Sequence, residues 1–89
     1  MSRAFVNEDA GGGRAHRRFD LPPRDDPAYD AAAARALLDA SLEGDTESAE
    51  VATGYYWGEK TLRPHVERIR ARASAAGDSE LARAAERFL

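Results

Sequence analysis

Leu62, Val66, Ile69, Ala73 and Ala76 recur at steps of four, three, four and three. Apolar residues at that spacing share one face of an α-helix, and two heptads of it make a short coiled-coil-like seam. The ends of this helix are marked as well. Pro64 suits the first turn of a helix beginning near Thr61. Gly77 can stop it in a left-handed conformation, and Asp78 can cap a final helix whose inner face is Leu81, Ala85 and Phe88.

The same punctuation lies upstream. Asp26 is a good N-cap, with Pro27 at the first helical position and Asp30 in the first turn, where the helix dipole favours negative charge. Ala33, Ala34, Leu37, Leu38 and Leu42 form one face of that helix, and Gly44 ends it. Asp45 or Thr46 caps a second helix with Val51, Ala52 and Tyr55 as its apolar face. Gly54 and Gly58 weaken it near Trp57, so a break is expected there. The alternative is one bent helix running on to residue 76 and kinked at Pro64. No convincing strand and no internal repeat is present. The expected fold is all-α: a small antiparallel hairpin or bundle of three to four helices over residues 27–89.

Residues 1–26 read as a flexible N-terminal arm. Gly11-Gly12-Gly13 breaks it, Arg14, Arg17 and Arg18 make it basic, and Leu21-Pro22-Pro23 should be extended. Phe5 belongs to a short apolar patch that the arm cannot bury by itself. It is either a frayed terminus or a segment that orders on a partner.

Composition narrows the chemistry. The chain has 89 residues, 43% hydrophobic and rich in alanine, which favours helix but buries little area. A deep, water-excluding catalytic pocket is not expected in so small a chain. There is no cysteine for a disulfide, a thiolate or a zinc ribbon, and the two histidines, His16 and His65, are far apart. No Ser-His-Asp set and no phosphate-binding glycine loop appears, so no enzyme activity and no cofactor of its own is expected. Nothing is apolar enough to span a membrane, and no secretory signal is visible, which makes the cytoplasm the expected compartment.

Charge is unevenly distributed. Between Ala36 and Glu59 stand six acids and no base: Asp39, Glu43, Asp45, Glu47, Glu50 and Glu59. From Lys60 onward there are seven bases and four acids, with Arg63, Arg68, Arg70 and Arg72 close together. An acidic hairpin tip opposite a basic side follows, either as an ordinary solvated helix surface or as a tip for a magnesium ion or a basic pocket. A net charge of −3 without a long single-sign stretch argues against direct duplex DNA binding. Tyr55, Tyr56 and Trp57 read as core or interface residues before they read as a base-stacking platform.

Several stretches carry a resemblance. Met1-Ser2-Arg3-Ala4-Phe5-Val6-Asn7-Glu8-Asp9 is similar to the opening of some Gre-type transcription elongation and transcript cleavage factors. Leu21-Pro22-Pro23-Arg24-Asp25-Asp26-Pro27-Ala28-Tyr29 resembles the proline-rich lead into their helical hairpin, and Gly44-Asp45-Thr46-Glu47-Ser48-Ala49-Glu50 resembles their hairpin tip, one residue short. Lys60-Thr61-Leu62-Arg63 looks like the returning arm. The first arm is shorter than the family's, Ser48 replaces the usual tip asparagine, and nothing here matches the family's C-terminal domain. The resemblance implies an accessory protein of bacterial RNA polymerase, working in or near the secondary channel. It also implies that Asp45 and Glu47 help hold an Mg2+ ion shared with the polymerase. The alternative is a helical adaptor that binds another protein through the arm and the aromatic cluster. The residues expected at a partner are Arg3, Phe5, Tyr55, Tyr56, Trp57 and Arg63.

Overall fold

The computed structural model describes residues 19–89. The readings placed on residues 1–18, Arg3 and Phe5 included, lie outside them. Four helices follow one another: α1 (Tyr29–Leu42), α2 (Thr46–Thr53), α3 (Arg63–Ala76) and α4 (Ser79–Phe88). A 3₁₀ turn, Lys60–Leu62, leads directly into α3. Among the described residues there is no strand, so the fold is the all-α one expected.

α1 is the central helix. It touches α2 on one side and the α3–α4 pair on the other. Tyr29, Ala33, Ala34, Ala36, Leu37, Leu38 and Ala40 are all buried, a wider arc than one amphipathic face. Alanine makes this possible, because a short side chain lets neighbouring helices approach from more than one direction. Leu42, expected on the inner face, is 42% exposed. It lies past the point where α1 is covered, in a shallow groove with Glu80, Arg83 and Arg87 of α4.

Helix ends follow the side chains that mark them. α1 starts later than the Asp26 N-cap expected: residues 26–29 form an i→i+3 turn, with the Tyr29 amide bonded to the Asp26 carbonyl (2.9 Å) and the Ala28 amide to Asp26 Oδ1 (2.8 Å). The helix begins at Tyr29, and its N-cap, Ala28, has no side-chain capping bond. Two corners share one construction. At Gly44 (φ 75°) the Gly44 and Asp45 amides donate to the carbonyls of Ser41 and Ala40. At Gly77 (φ 79°) the Gly77 and Asp78 amides donate to those of Ser74 and Ala73. Both are Schellman closures, and both are followed at once by an aspartate that caps the next helix. Asp45 Oδ1 accepts from the Ser48 amide, and Asp78 Oδ1 from the Leu81 amide (3.2 Å).

α2 departs most from its expected form. It stops at Thr53, not near Trp57, because Gly54 takes a left-handed conformation (φ 79°). Residues 46–76 are therefore two helices, separated by the loop 54–59 and the 3₁₀ turn. The buried stripe of α2 is Ala49 and Thr53, not Val51, which is 72% exposed. The reason is geometric. α2 has only two turns and touches no helix but α1, so one narrow i, i+4 stripe is covered.

The seam of α3 is formed in part. Leu62 and Val66 are fully buried and Ala73 nearly so. Ile69, expected in full contact, is half-buried beside Arg35, Arg72 and Leu81, and Ala76 is exposed at the helix end. Pro64 sits within the first turn of α3, where its missing N–H leaves no bond unmade. On α4, Leu81, Ala85 and Phe88 are buried as expected, joined by Ala82 and Ala84.

Candidate functional site

The loop after α2 is held by side chains in place of helix bonds. Ending the helix orphans the last carbonyls. The phenol of Tyr29 donates to the Thr53 carbonyl (2.7 Å) and answers one of them. The Thr53 hydroxyl donates to the Ala49 carbonyl (2.7 Å) and accepts from the Tyr55 amide (3.1 Å). Glu50 Oε2 accepts from the Trp57 amide (2.9 Å), which pulls the chain back toward α2. Arg24, in the segment preceding α1, lies over the Tyr29 ring at 5.6 Å. Its guanidinium also presses on Gly54, where a Cβ would come within 2.5 Å of it.

These anchors send the three aromatics in different directions. The Tyr55 phenol donates to Asp30 Oδ1 (2.7 Å). That hydrogen bond to a carboxylate, with burial and the nearby charges of Asp30 and Glu59, raises its pKa above the ordinary tyrosine value. Trp57 turns inward and meets the Phe88 ring edge-on, with centroids 4.9 Å apart. Tyr56 points outward and is 76% exposed. The expected cluster of Tyr55, Tyr56 and Trp57 is thus one outward ring and two anchored ones. A shared stacking face is not formed, because Trp57 belongs to the contact between the loop and α4.

The outward surface is the edge of α2 and the loop. Glu47, Glu50, Val51, Gly54, Tyr55 and Tyr56 line a shallow groove there. Its apolar lining is Val51 and the two tyrosine rings, and its two charged residues are both acids. Val51 and Tyr56 are two of the three large hydrophobic side chains that stand exposed among the described residues.

The expected metal ligands fall at the corner between α1 and α2. Asp45 Oδ1 is engaged as the cap of α2, accepting from the Ser48 hydroxyl (2.9 Å) as well as its amide. Glu47 is exposed and belongs to the groove. Among the described residues no group of three or more His, Asp or Glu side chains is placed to hold a metal ion. The corner Gly44-Asp45-Thr46-Glu47 also has a counterpart in Gly77-Asp78-Ser79-Glu80. Stopping one helix and starting the next accounts for the residue types at both. Arg63 is exposed at the first position of α3, a helix that does not touch α2, and it is not among the residues that line the groove.

Thr53, Arg24 and Glu50 organise this edge; Arg24 and Glu50 stood in the sequence only as part of the proline-rich stretch and the acidic run, and Thr53 carried no expectation. A threonine at i+4 from a buried alanine was the available signal for the first. No helix among the described residues is long and apolar enough to cross a membrane. Compared with known proteins, the chain matches no family model, no curated protein and no solved structure.

Proposed function

We propose that this chain acts by binding another protein, and that the edge of α2 with the loop behind it is the binding face. One observation carries the reading. Val51 and Tyr56 stand 72% and 76% exposed on an edge whose backbone is fixed by Thr53, Glu50 and Tyr29. Single exposed hydrophobes are ordinary, but two that line one groove on a fixed frame are what an interface anchor needs. Glu47 and Glu50 on the same groove favour a partner surface that is apolar and cationic.

Affinity capture tests this, with the full chain as bait and Val51→Ser/Tyr56→Ser as the comparison. A retained protein is identified, purified and titrated against both baits. The expected result is a Kd weakened by roughly tenfold or more in the variant, corresponding to about 1.4 kcal/mol, and weakened further by salt. Equal retention by both baits contradicts the reading. The Gre-like reading makes a different forecast for the same experiment. It requires the retained protein to be RNA polymerase and its response to depend on Asp45→Asn/Glu47→Gln, with Val51 and Tyr56 indifferent.

A further inference from the structure

α3 presents a face that no other described residue covers. Pro64, Arg68, Ala71 and Ala75 recur at steps of four, three and four, opposite the buried Leu62, Val66 and Ala73. All four are exposed. Exposed Arg72 flanks this stripe on one side and exposed Arg63 on the other. Over its length α3 carries four arginines against one glutamate. Among the described residues these arginines make no ion pair. Arg68 has only a long contact, 3.5 Å, with His65 Nδ1, while Arg35 and Asp39 of α1 are paired at 2.9 Å. The face is small at Pro64, Ala71 and Ala75, and Arg68, Arg72 and Arg63 make it cationic.

The edge of α2 is the complement of that face. It has a projecting apolar centre, Val51, and carboxylates beside it at Glu47 and Glu50. Residues 43–50 contain four acids and no base. The two surfaces do not meet within one molecule: among the described helices α2 touches α1 alone, while α3 touches α1 and α4.

We infer that the edge of α2 in one copy docks on the outward face of α3 in a second copy. The inference rests on the reading of the α2 edge as a binding face and names its partner. Val51 enters between Ala71 and Ala75, and Glu47 meets Arg68 or Arg72. Because the two faces differ, the contact is head to tail. Each added copy leaves one acidic edge and one basic face open, so association continues beyond a dimer unless it closes into a ring. The charged component makes it sensitive to salt.

Sedimentation equilibrium on the full chain tests the inference, at ionic strengths of about 0.01 M and about 1 M. The expected result is concentration-dependent association at low salt and a dissociation constant raised by roughly tenfold or more at high salt. Two double variants separate the faces: Glu47→Gln/Val51→Ser on α2, and Arg68→Gln/Arg72→Gln on α3. All four positions carry exposed side chains, and circular dichroism checks that each variant keeps its helices. Each variant alone should be monomeric. Mixed in equal amounts they retain one good face each, and should form a one-to-one dimer that grows no further. A wild-type chain that stays monomeric at about 1 mM and low salt overturns the inference, as does a mixture that stays monomeric. If self-association fails while the Val51→Ser/Tyr56→Ser bait still loses an identified partner, only the choice of partner is wrong. If that bait loses nothing, the binding face itself is wrong.

Discussion

The hydroxyl of Thr53 is the smallest group on which the candidate edge depends. It is buried, and it serves the Ala49 carbonyl and the Tyr55 amide together. Thr53→Val keeps the shape but leaves the Tyr55 amide without its acceptor. The expected loss is about 1–3 kcal/mol in chemical denaturation; a change within about 0.5 kcal/mol would mean that water replaces the hydroxyl without cost. Tyr55 supplies a second test, through pH. Its phenol holds its proton more tightly in the folded state, by its bond to Asp30, than in the unfolded chain. The raised pKa therefore contributes stability in full below about pH 10, the ordinary tyrosine value. That contribution disappears as pH rises through the folded value. Tyr55→Phe should lower stability at neutral pH and remove this alkaline step. An unchanged pH profile of unfolding in the variant would show that the bond does not persist in solution. Neither residue's role was legible in the sequence, because periodicity registers apolar side chains. It pointed to Val51 on α2, whereas α2 covers only one narrow stripe against α1, and that stripe falls on Ala49 and the hydrogen-bonded Thr53.

At the scale of elements, boundaries were easier to read than faces. Gly44, Gly77, Asp45 and Asp78 do what their chemistry suggests, and Pro64 falls in a first turn. Asp78→Ala and Asp45→Ala should each cost about 1 kcal/mol through loss of the cap. Gly54→Ala should cost about 1–2 kcal/mol, for placing a Cβ in a left-handed conformation. Most of that cost is backbone, since the Arg24 guanidinium that the new Cβ would meet is the end of a flexible side chain. Faces were harder because burial depends on which neighbours arrive. Leu62 is closed in by α1, and Leu62→Ala should cost about 2–5 kcal/mol. Ile69 has the same place in the periodicity but keeps part of its surface in water, so Ile69→Ala should cost less than half as much. Equal losses at the two sites in urea denaturation would mean that the groove beside Ile69 closes in solution.

On the scale of the whole molecule, α1 separates an acidic helix from a basic one. The charge imbalance between residues 36–59 and the segment from Lys60 onward was plain in the sequence, and the structure gives it a geometry. α2 sits against α1 alone, and α3 sits with α4 on the rest of it. What the sequence left open was the separation of the aromatics. Tyr55, Tyr56 and Trp57 are consecutive, and only the bonds to Asp30 and Glu50 and the contact with Phe88 decide that Tyr56 alone faces outward. The acidic corner and the exposed edge are neighbours, joined through Glu47.

Whether this edge meets another protein is answered by a photocrosslinking amino acid placed at Val51 or at Tyr56 in the full chain, expressed in its own cells. Ala31, exposed on α1, is the control position. Discrete crosslinked products are expected from positions 51 and 56, lost when Glu47→Gln is added, and none of the same mass from position 31. Products from 51 and 56 that are absent, or identical to those from 31, would contradict the reading of this edge as a binding face.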